Sequence, residues 1–283
     1  MSKTATTWGL MKSSWAVLMR DPVLLVFPVV SGIACFLVLL TFILPALGLG
    51  GGGMRALEHG AGGVLGYVLL FCYYVCNFFV VFYFNAALVD FVATRMQGGE
   101  PTLGGSLRAA SACLPQIALW AVIASTVGVV LKALESRAGF LGRIVVSLVG
   151  VAWTLVTYFV VPIIVVDRKG AVDAIGESKD LLARTWGKQI VSGLGYGLIG
   201  FLLTVPAIAV IGFAIFGLAA SQGAHAGGWG TLAVVALLYL VGLGIVLSAL
   251  RAIFGVVLYL FARTGDAPQG FDAGALRGAI QPA

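Results

Sequence analysis

The stretch TLAVVALLYLVGLGIVLSALRAIFGVVLYLFA, from Thr231 to Ala262, contains a single charged residue, Arg251, in 32 positions. A helix of about 20 apolar residues crosses the roughly 30 Å hydrocarbon core of a bilayer, because it satisfies its own backbone hydrogen bonds there. The stretch therefore predicts a membrane-spanning helix. Five similar stretches precede it. Together the predicted spans are 23–47, 64–92, 114–131, 144–166, 190–219 and 231–262.

The composition excludes a soluble protein. Hydrophobic residues make up 60% of the 283 positions and charged residues 10%, and the mean hydropathy is +1.07. A soluble domain carries about 25% charged residues. The continuous apolar runs also exclude an outer-membrane barrel, whose strands alternate over about 10 residues. The sequence predicts an all-α, polytopic bundle of six spans that forms one membrane domain, 1–283.

Lysine and arginine accumulate on one side of the predicted spans, here called the basic side. Positive residues favour the cytoplasm, so both termini are predicted to be cytoplasmic, in the inner membrane of a bacterium. The first apolar run begins only at Val23 and is too long for a signal peptide, so we expect it to be retained. The basic side holds Lys3, Lys12, Arg20, Arg95, Arg108, Arg168, Lys169, Lys179, Arg184, Lys188, Arg263 and Arg277, and the opposite side Arg55, Lys132, Arg137 and Arg143.

A short amphipathic segment precedes each pair of spans. Apolar residues at helical spacing opposite charged residues predict helices that lie in the membrane interface. The second segment begins at Glu100-Pro101-Thr102, where proline suits the first helical position. The apolar stripes of the first and third segments are Trp8, Met11, Trp15 and Leu18, and then Ile175, Leu182 and Trp186.

These segments also indicate an internal repeat. Ser14, Leu18 and Arg20 match Ser178, Leu182 and Arg184 at an offset of 164 residues, and Gly105-Ser-Leu-Arg-Ala resembles Gly274-Ala-Leu-Arg-Gly. The predicted unit is an interfacial helix followed by a hairpin, in three parallel copies, with chance similarity between apolar sequences as the alternative. The chain then divides into a helix at 1–22, a hairpin at 23–92, helix-plus-hairpin units at 100–166 and 171–262, and a tail at 263–283.

Several motifs resemble an uncharacterised bacterial family of six-pass membrane proteins. They are Lys12-Ser-Ser-Trp-Ala-Val-Leu with Asp21-Pro22 and Phe27-Pro28, Tyr83-Phe-Asn-Ala-Ala-Leu-Val, Gly-Glu100-Pro-Thr-Leu, and Tyr158-Phe-Val-Val-Pro162 through Ala183-Arg-Thr-Trp186-Gly. The chain is more distantly similar to the membrane domain fused to some glycerophosphodiester phosphodiesterases. Neither resemblance supplies a catalytic residue.

The sequence favours a protein without enzymatic activity, metal or cofactor. The two histidines, His59 and His225, fall in outward-facing loops, and there is no H-E-x-x-H zinc motif, Walker loop or G-x-S-x-G elbow. The net charge of +6 is spread over segments beside the membrane. This distribution indicates anionic lipid headgroups at the cytoplasmic face and argues against nucleic acid.

The second span is dense in aromatic residues, which are predicted to surround the helix. Packing in the core and against lipid is one interpretation, and a stacking site for a quinone or an isoprenoid is the other. The residues are Phe71, Tyr73, Tyr74, Phe78, Phe79, Phe82, Tyr83 and Phe84.

Four residues form the candidate polar site within the membrane: Arg251, Asp90, Asn77 and Asn85. An arginine near the bilayer centre costs about 2.5 to 3.5 kcal/mol on insertion scales, so Arg251 needs a partner or must reach the interface. Asp90 lies in a predicted span near the same side. Asn77 and Asn85 are expected to face the bundle interior, because an amide in hydrocarbon seeks a partner.

Three functions follow from these features. The first is a non-enzymatic membrane scaffold or assembly factor that contacts other membrane proteins or a second copy of itself. The second is a transporter or channel for a small anionic or amphiphilic solute, with Arg251, Asn77 and Asn85 along its path. The third, an enzyme acting on lipid, lacks a visible catalytic group.

Overall fold

The computed structural model describes residues 3–48, 64–186, 191–220, 226–274 and 276. In these ranges the secondary structure is helical, and six helices are long and apolar enough to cross a membrane. The predicted all-α fold with six spans is therefore confirmed. His59 and His225 lie outside the described residues.

Ten helices occupy the described ranges. The apolar helical segments that can span a membrane are Pro22–Leu44, Val68–Met96, Leu114–Arg137, Phe140–Val166, Phe201–Ala220 and Gly227–Thr264. A 3₁₀ turn, Pro22–Leu25, connects the first two helices. The helices are α1 (Lys3–Arg20), α2 (Val26–Gly48), α3 (Val64–Met96), α4 (Leu103–Ser111), α5 (Leu114–Arg137), α6 (Phe140–Val156), α7 (Val160–Val166), α8 (Ala171–Trp186), α9 (Val191–Ala220) and α10 (Ala226–Thr264).

The chain divides into two compact units. The larger comprises Val26–Thr185 and Gly255–Gln269, and the smaller comprises Met1–Leu25, Trp186–Phe254 and Gly270–Ala283. A single domain over 1–283 stays a prediction.

Helix α3 is the centre of the larger unit, where it packs against α2, α4, α5 and α7. The buried side chains of this unit concentrate at the basic-side ends of its helices, as in Ala86–Ala93 on α3 and Phe159–Val165 around α7. Toward the opposite side, apolar residues such as Ile33 and Phe36 are exposed. Exposed apolar side chains on a long helix are expected where lipid surrounds it.

The fourth predicted span is not one continuous helix. Helix α6 ends at Val156, a turn occupies Thr157–Phe159, and α7 begins at Val160. Pro162 explains the break, because a proline inside a continuous helix lacks an N–H and clashes with the carbonyl four residues earlier, here that of Tyr158. In the first turn of a new helix, proline displaces no internal hydrogen bond.

Apart from Leu18, the buried residues of α1 and α8 lie outside the predicted apolar stripes. On α1 the buried residues are Leu10, Ser14 and Leu18, whereas Trp15 is 46% exposed. On α8 they are Ala171, Ala174 and Ser178. Ser14 on α1 and all three buried positions on α8 hold small side chains, so the helices contact protein closely there.

The second amphipathic helix also begins later than predicted. Helix α4 starts at Leu103, and Thr102 caps it by accepting a hydrogen bond from the Gly105 N–H at 3.1 Å. Pro101 therefore precedes the helix, which a threonine cap explains. Ser106 on α4 is buried, like Ser14 on α1 and Ser178 on α8. The predicted repeat stays a prediction.

In the smaller unit, Gly217 of α9 lies directly against the ring of Trp229 on α10. A Cβ added at Gly217 would come within 2.5 Å of the Trp229 ring, so this contact requires glycine. Phe213 packs edge-on to the same ring, with centroids 5.4 Å apart. Close approach through glycine is typical of packing between membrane helices.

Candidate functional site

The break between α6 and α7 is closed by a side chain from α8. The Ser178 hydroxyl donates a hydrogen bond to the Val156 carbonyl at 2.6 Å and accepts one from the Phe159 N–H at 3.1 Å. In a continuous helix the Val160 N–H would donate to the Val156 carbonyl, but here it donates to the Thr157 carbonyl. Since an unpaired backbone group away from water costs several kcal/mol, Ser178 stabilises the break and fixes α8 to it.

A second polar group joins the ends of the fourth and sixth spans. Asp167, directly after α7, forms an ion pair with Arg263 at the end of α10. The Tyr259 hydroxyl donates to the second Asp167 oxygen at 2.6 Å and accepts from Arg263 Nη1 at 2.9 Å. The Asp167 side chain is 5% exposed and that of Arg263 45%. We call these three residues the clasp.

Arg168 connects the end of α7 to the corner between α4 and α5. Its Nη1 donates to the Ala109 carbonyl at 3.0 Å, in the last turn of α4, and lies 3.0 Å from the Cys113 sulfur. A cation at a helix C-terminus is favourable, because the carbonyls there carry partial negative charge. Arg168 also has a φ of 57°, in the left-handed region that glycine adopts more easily.

Arg168 allows the contributions of side chain and backbone to be separated. We expect Arg168→Ala to lower the free energy of unfolding by about 2 kcal/mol, because it loses the hydrogen bonds of the guanidinium. The cost of the positive φ is the same for arginine and alanine. Arg168→Gly loses the same bonds but relieves the backbone, so it should be about 1 kcal/mol more stable than Arg168→Ala. Unfolding in detergent measures both, and an alanine variant as stable as the glycine variant would contradict this explanation.

The profile described as "Family of unknown function (DUF6159)" matches residues 64–270. The chain belongs to this DUF6159 family. No curated protein matches the chain, and neither does any solved structure. The matched range contains Ser178, Arg168 and all three residues of the clasp, so the site lies within the part of the chain that the family defines.

In this DUF6159 chain, three of the four predicted polar residues lie on α3. Asn77 donates to the Tyr73 carbonyl of its own helix at 3.2 Å, and both Asn77 and Asn85 are half-buried. Asp90 lies beside the Ser106 hydroxyl and within electrostatic reach of Arg168. Arg251 is exposed and belongs to the other unit. An ion pair between Arg251 and Asp90 stays a prediction.

The aromatic residues of α3 do not simply surround the helix. Tyr74, Phe78 and Phe82 stack in one row, with centroids 6.2 and 5.6 Å apart. The row continues from Phe82 to Trp120 on α5 and from Trp120 to Trp153 on α6, at 5.6 and 6.0 Å. We call these five rings the aromatic column. It connects three helices of the larger unit.

The polar groups of the site join helices at the basic side. Tyr83 adds a further link between helices, since its hydroxyl lies 2.9 Å from the Ser111 hydroxyl and thereby ties α3 to α4. In the described ranges, no three histidine, cysteine or acidic side chains lie close enough together to hold a metal ion. The arrangement fixes α4 and α8 to the ends of the spans.

Proposed function

We propose that this protein is a non-enzymatic membrane scaffold or assembly factor. The observation that carries the proposal is that α8 is attached to the bundle by one face and exposed on the other. One face of this helix is fixed to the bundle through Ser178, while Asp173, Lys179 and Asp180 on its other side are exposed. A rigid helix that presents charged side chains beside the membrane is suited to hold a partner.

The exposed face of α8 has an open recess of about 280 Å³, lined by Lys169, Asp173, Glu177, Asp180 and Leu181. Lys169 already pairs with Glu177 at 2.6 Å. Asp173 and Asp180 are the more exposed acids of the recess. Their charge suits a lysine or arginine from another membrane protein, since complementary charges guide partner choice.

The proposal is tested by crosslinking in native membranes, followed by purification and identification of the complexes. A scaffold should yield a defined set of membrane partners. Asp173→Lys combined with Asp180→Lys should reduce their yield about tenfold or more, because like charges facing each other cost several kcal/mol.

The matched control is Glu135→Lys, which changes an exposed acid of the Lys132–Glu135 pair on α5. Glu135 lies at the end of α5 away from the basic side, so the control changes charge without touching α8. Partners lost equally in both variants, or retained in both, would refute the role of α8.

A transporter or channel for a small anionic or amphiphilic solute is the second candidate. The discontinuous fourth span favours it, because broken helices form the binding sites of many transporters. An exposed Arg251 within α10 suits an anionic solute. In liposomes, a scaffold should show no anion flux above empty vesicles, whereas a transporter should show a flux that Arg251→Leu abolishes.

We further propose that the protein resides in a bacterial inner membrane with both termini in the cytoplasm. The support is the distribution of lysine and arginine, which also suits anionic lipids and not nucleic acid. A reporter that is active only in the cytoplasm, fused to either terminus, tests the orientation.

We also propose that this chain is distantly related to the membrane domain that is fused to some glycerophosphodiester phosphodiesterases.

A further inference from the structure

The recess on α8 already holds a positively charged group that belongs to this chain. Lys169 Nζ donates a hydrogen bond to a Glu177 carboxylate oxygen at 2.6 Å, and both residues line the recess. Their side chains are 45% and 28% exposed. Lys179 on the same helix lies farther from its acid, at 3.8 Å from Asp180, and both of those side chains are exposed. Lys169 is therefore the cation that the recess binds.

Glu177 is the central acid of the recess. Asp173, Glu177 and Asp180 lie at i, i+4 and i+7, so they form one row along α8. A cation at Glu177 has a carboxylate on either side, whereas a cation at either end of the row has one neighbouring carboxylate. Lys169 thus occupies the position where a basic side chain from a partner would make the most contacts.

The turn before α8 brings Lys169 over this row. Arg168 has a φ of 57° and donates to the Ala109 carbonyl at 3.0 Å, which holds the backbone next to Lys169. Glu177 lies about two turns into α8, and the flexible lysine stem reaches it. An ion pair near the surface contributes little to stability. The backbone therefore keeps Lys169 beside the recess, while its ammonium group can leave at a small cost.

We propose that Lys169 is an internal competitor that regulates partner binding to the recess. While Lys169 is on Glu177, the central position is closed to a second cation. An arginine from a partner displaces it, because the guanidinium has five N–H donors and can bind more than one carboxylate. This inference rests on the proposed function, since the partner is the membrane protein that α8 would hold.

The test measures the binding of a fluorescent helical peptide that carries two arginines at the spacing of Asp173 and Asp180. The full-length protein is held in nanodiscs of phosphatidylcholine, which has no net charge, and fluorescence anisotropy gives the affinity. Lys169→Gln frees Glu177, so it should strengthen binding about 2- to 5-fold, the contribution of an ion pair near the surface. Glu177→Gln breaks the same pair but removes the carboxylate, so it should weaken binding by a similar factor. A pair with only a structural role would change both affinities in the same direction.

Lys132→Gln is the matched control, because it breaks a lysine–glutamate pair of 3.0 Å on α5 and should leave the affinity unchanged. Combining Lys169→Gln with Glu177→Gln separates competition from simple charge repulsion, since removing the competitor should have no effect once Glu177 is gone. The proposal is overturned if the peptide binds neither the unaltered protein nor Lys169→Gln. It is also overturned if Lys169→Gln does not strengthen binding, or strengthens it equally in the Glu177→Gln background.

Crosslinking in native membranes distinguishes this inference from the scaffold proposal. A higher yield of partners with Lys169→Gln than with the unaltered protein supports both. Partners captured in equal yield, together with an unchanged peptide affinity, leave the scaffold function in place and overturn the competitor. Peptide affinities that change as expected without any captured partner support the competitor and refute the scaffold.

Discussion

Replacing Asp167 with alanine should lower the free energy of unfolding by about 3 kcal/mol. Asp167 is 5% exposed and accepts from both Tyr259 and Arg263. Removing one partner of a buried ion pair typically costs about 3 to 5 kcal/mol, because the remaining charge stays desolvated. The lower end of that range applies here, since Arg263 is 45% exposed and regains some water.

Chemical denaturation in a mild detergent measures this effect, and Asp266→Ala is the matched control. Asp266 is an exposed acid close to the same end of α10, and exposed substitutions usually change stability by less than about 0.5 kcal/mol. Tyr259→Phe should cost about 2 kcal/mol, because it removes two hydrogen bonds, one to Asp167 and one from Arg263. Equal stabilities for Asp167→Ala and Asp266→Ala would show that the clasp does not hold the two spans together.

The sequence predicts the spans well because one physical requirement dominates them. A helix in lipid must be long, apolar and internally hydrogen-bonded, so composition alone locates it. The break at Thr157–Phe159 is different. Its residues, Thr157, Tyr158 and Phe159, are of types that also occur within continuous membrane helices, and Pro162 is the clearest local signal. A proline indicates a kink or an interruption, but sequence alone does not say which one packing will select.

The clasp was missed because Asp167 directly follows a span and looks like an ordinary loop residue. Its pairing with Arg263 joins positions 96 residues apart in the chain, and such a contact depends on tertiary packing. The sequence indicates Arg251 instead, because it is the single charged residue in a long apolar run. Insertion cost identifies a residue that needs compensation, but it does not identify polar residues that are already paired at a span end.

Ser178 had a signal in the sequence, although its role was not predicted. It aligns with Ser14 in the proposed repeat, and both serines are buried on their amphipathic helices. A stripe of apolar residues predicts the face that meets lipid, whereas a small polar residue at the closest contact marks the face that meets protein. The role of Ser178 follows from its hydrogen bonds to the broken helix.

Ser178→Ala is expected to lower the free energy of unfolding by about 2 to 4 kcal/mol, since it leaves the buried Phe159 N–H and the part-buried Val156 carbonyl without their partner. It should also increase hydrogen exchange at the Phe159 amide, whose acceptor is the Ser178 oxygen. Ser125→Ala is the control, because Ser125 is equally buried but bonds a carbonyl of its own helix, that of Ala121 at 2.7 Å.

The control should cost less than about 1 kcal/mol, because helix α5 already supplies an N–H to the Ala121 carbonyl. Exchange at Phe159 should remain slow in Ser125→Ala and become fast in Ser178→Ala, well before global unfolding. Slow exchange in both variants would mean that the broken span is held by its own packing. Rapid exchange confined to Ser178→Ala would show that the Ser178 hydroxyl of α8 stabilises the break in the fourth span. A partner that binds α8 would then act directly on a helix that is hydrogen-bonded to the membrane bundle.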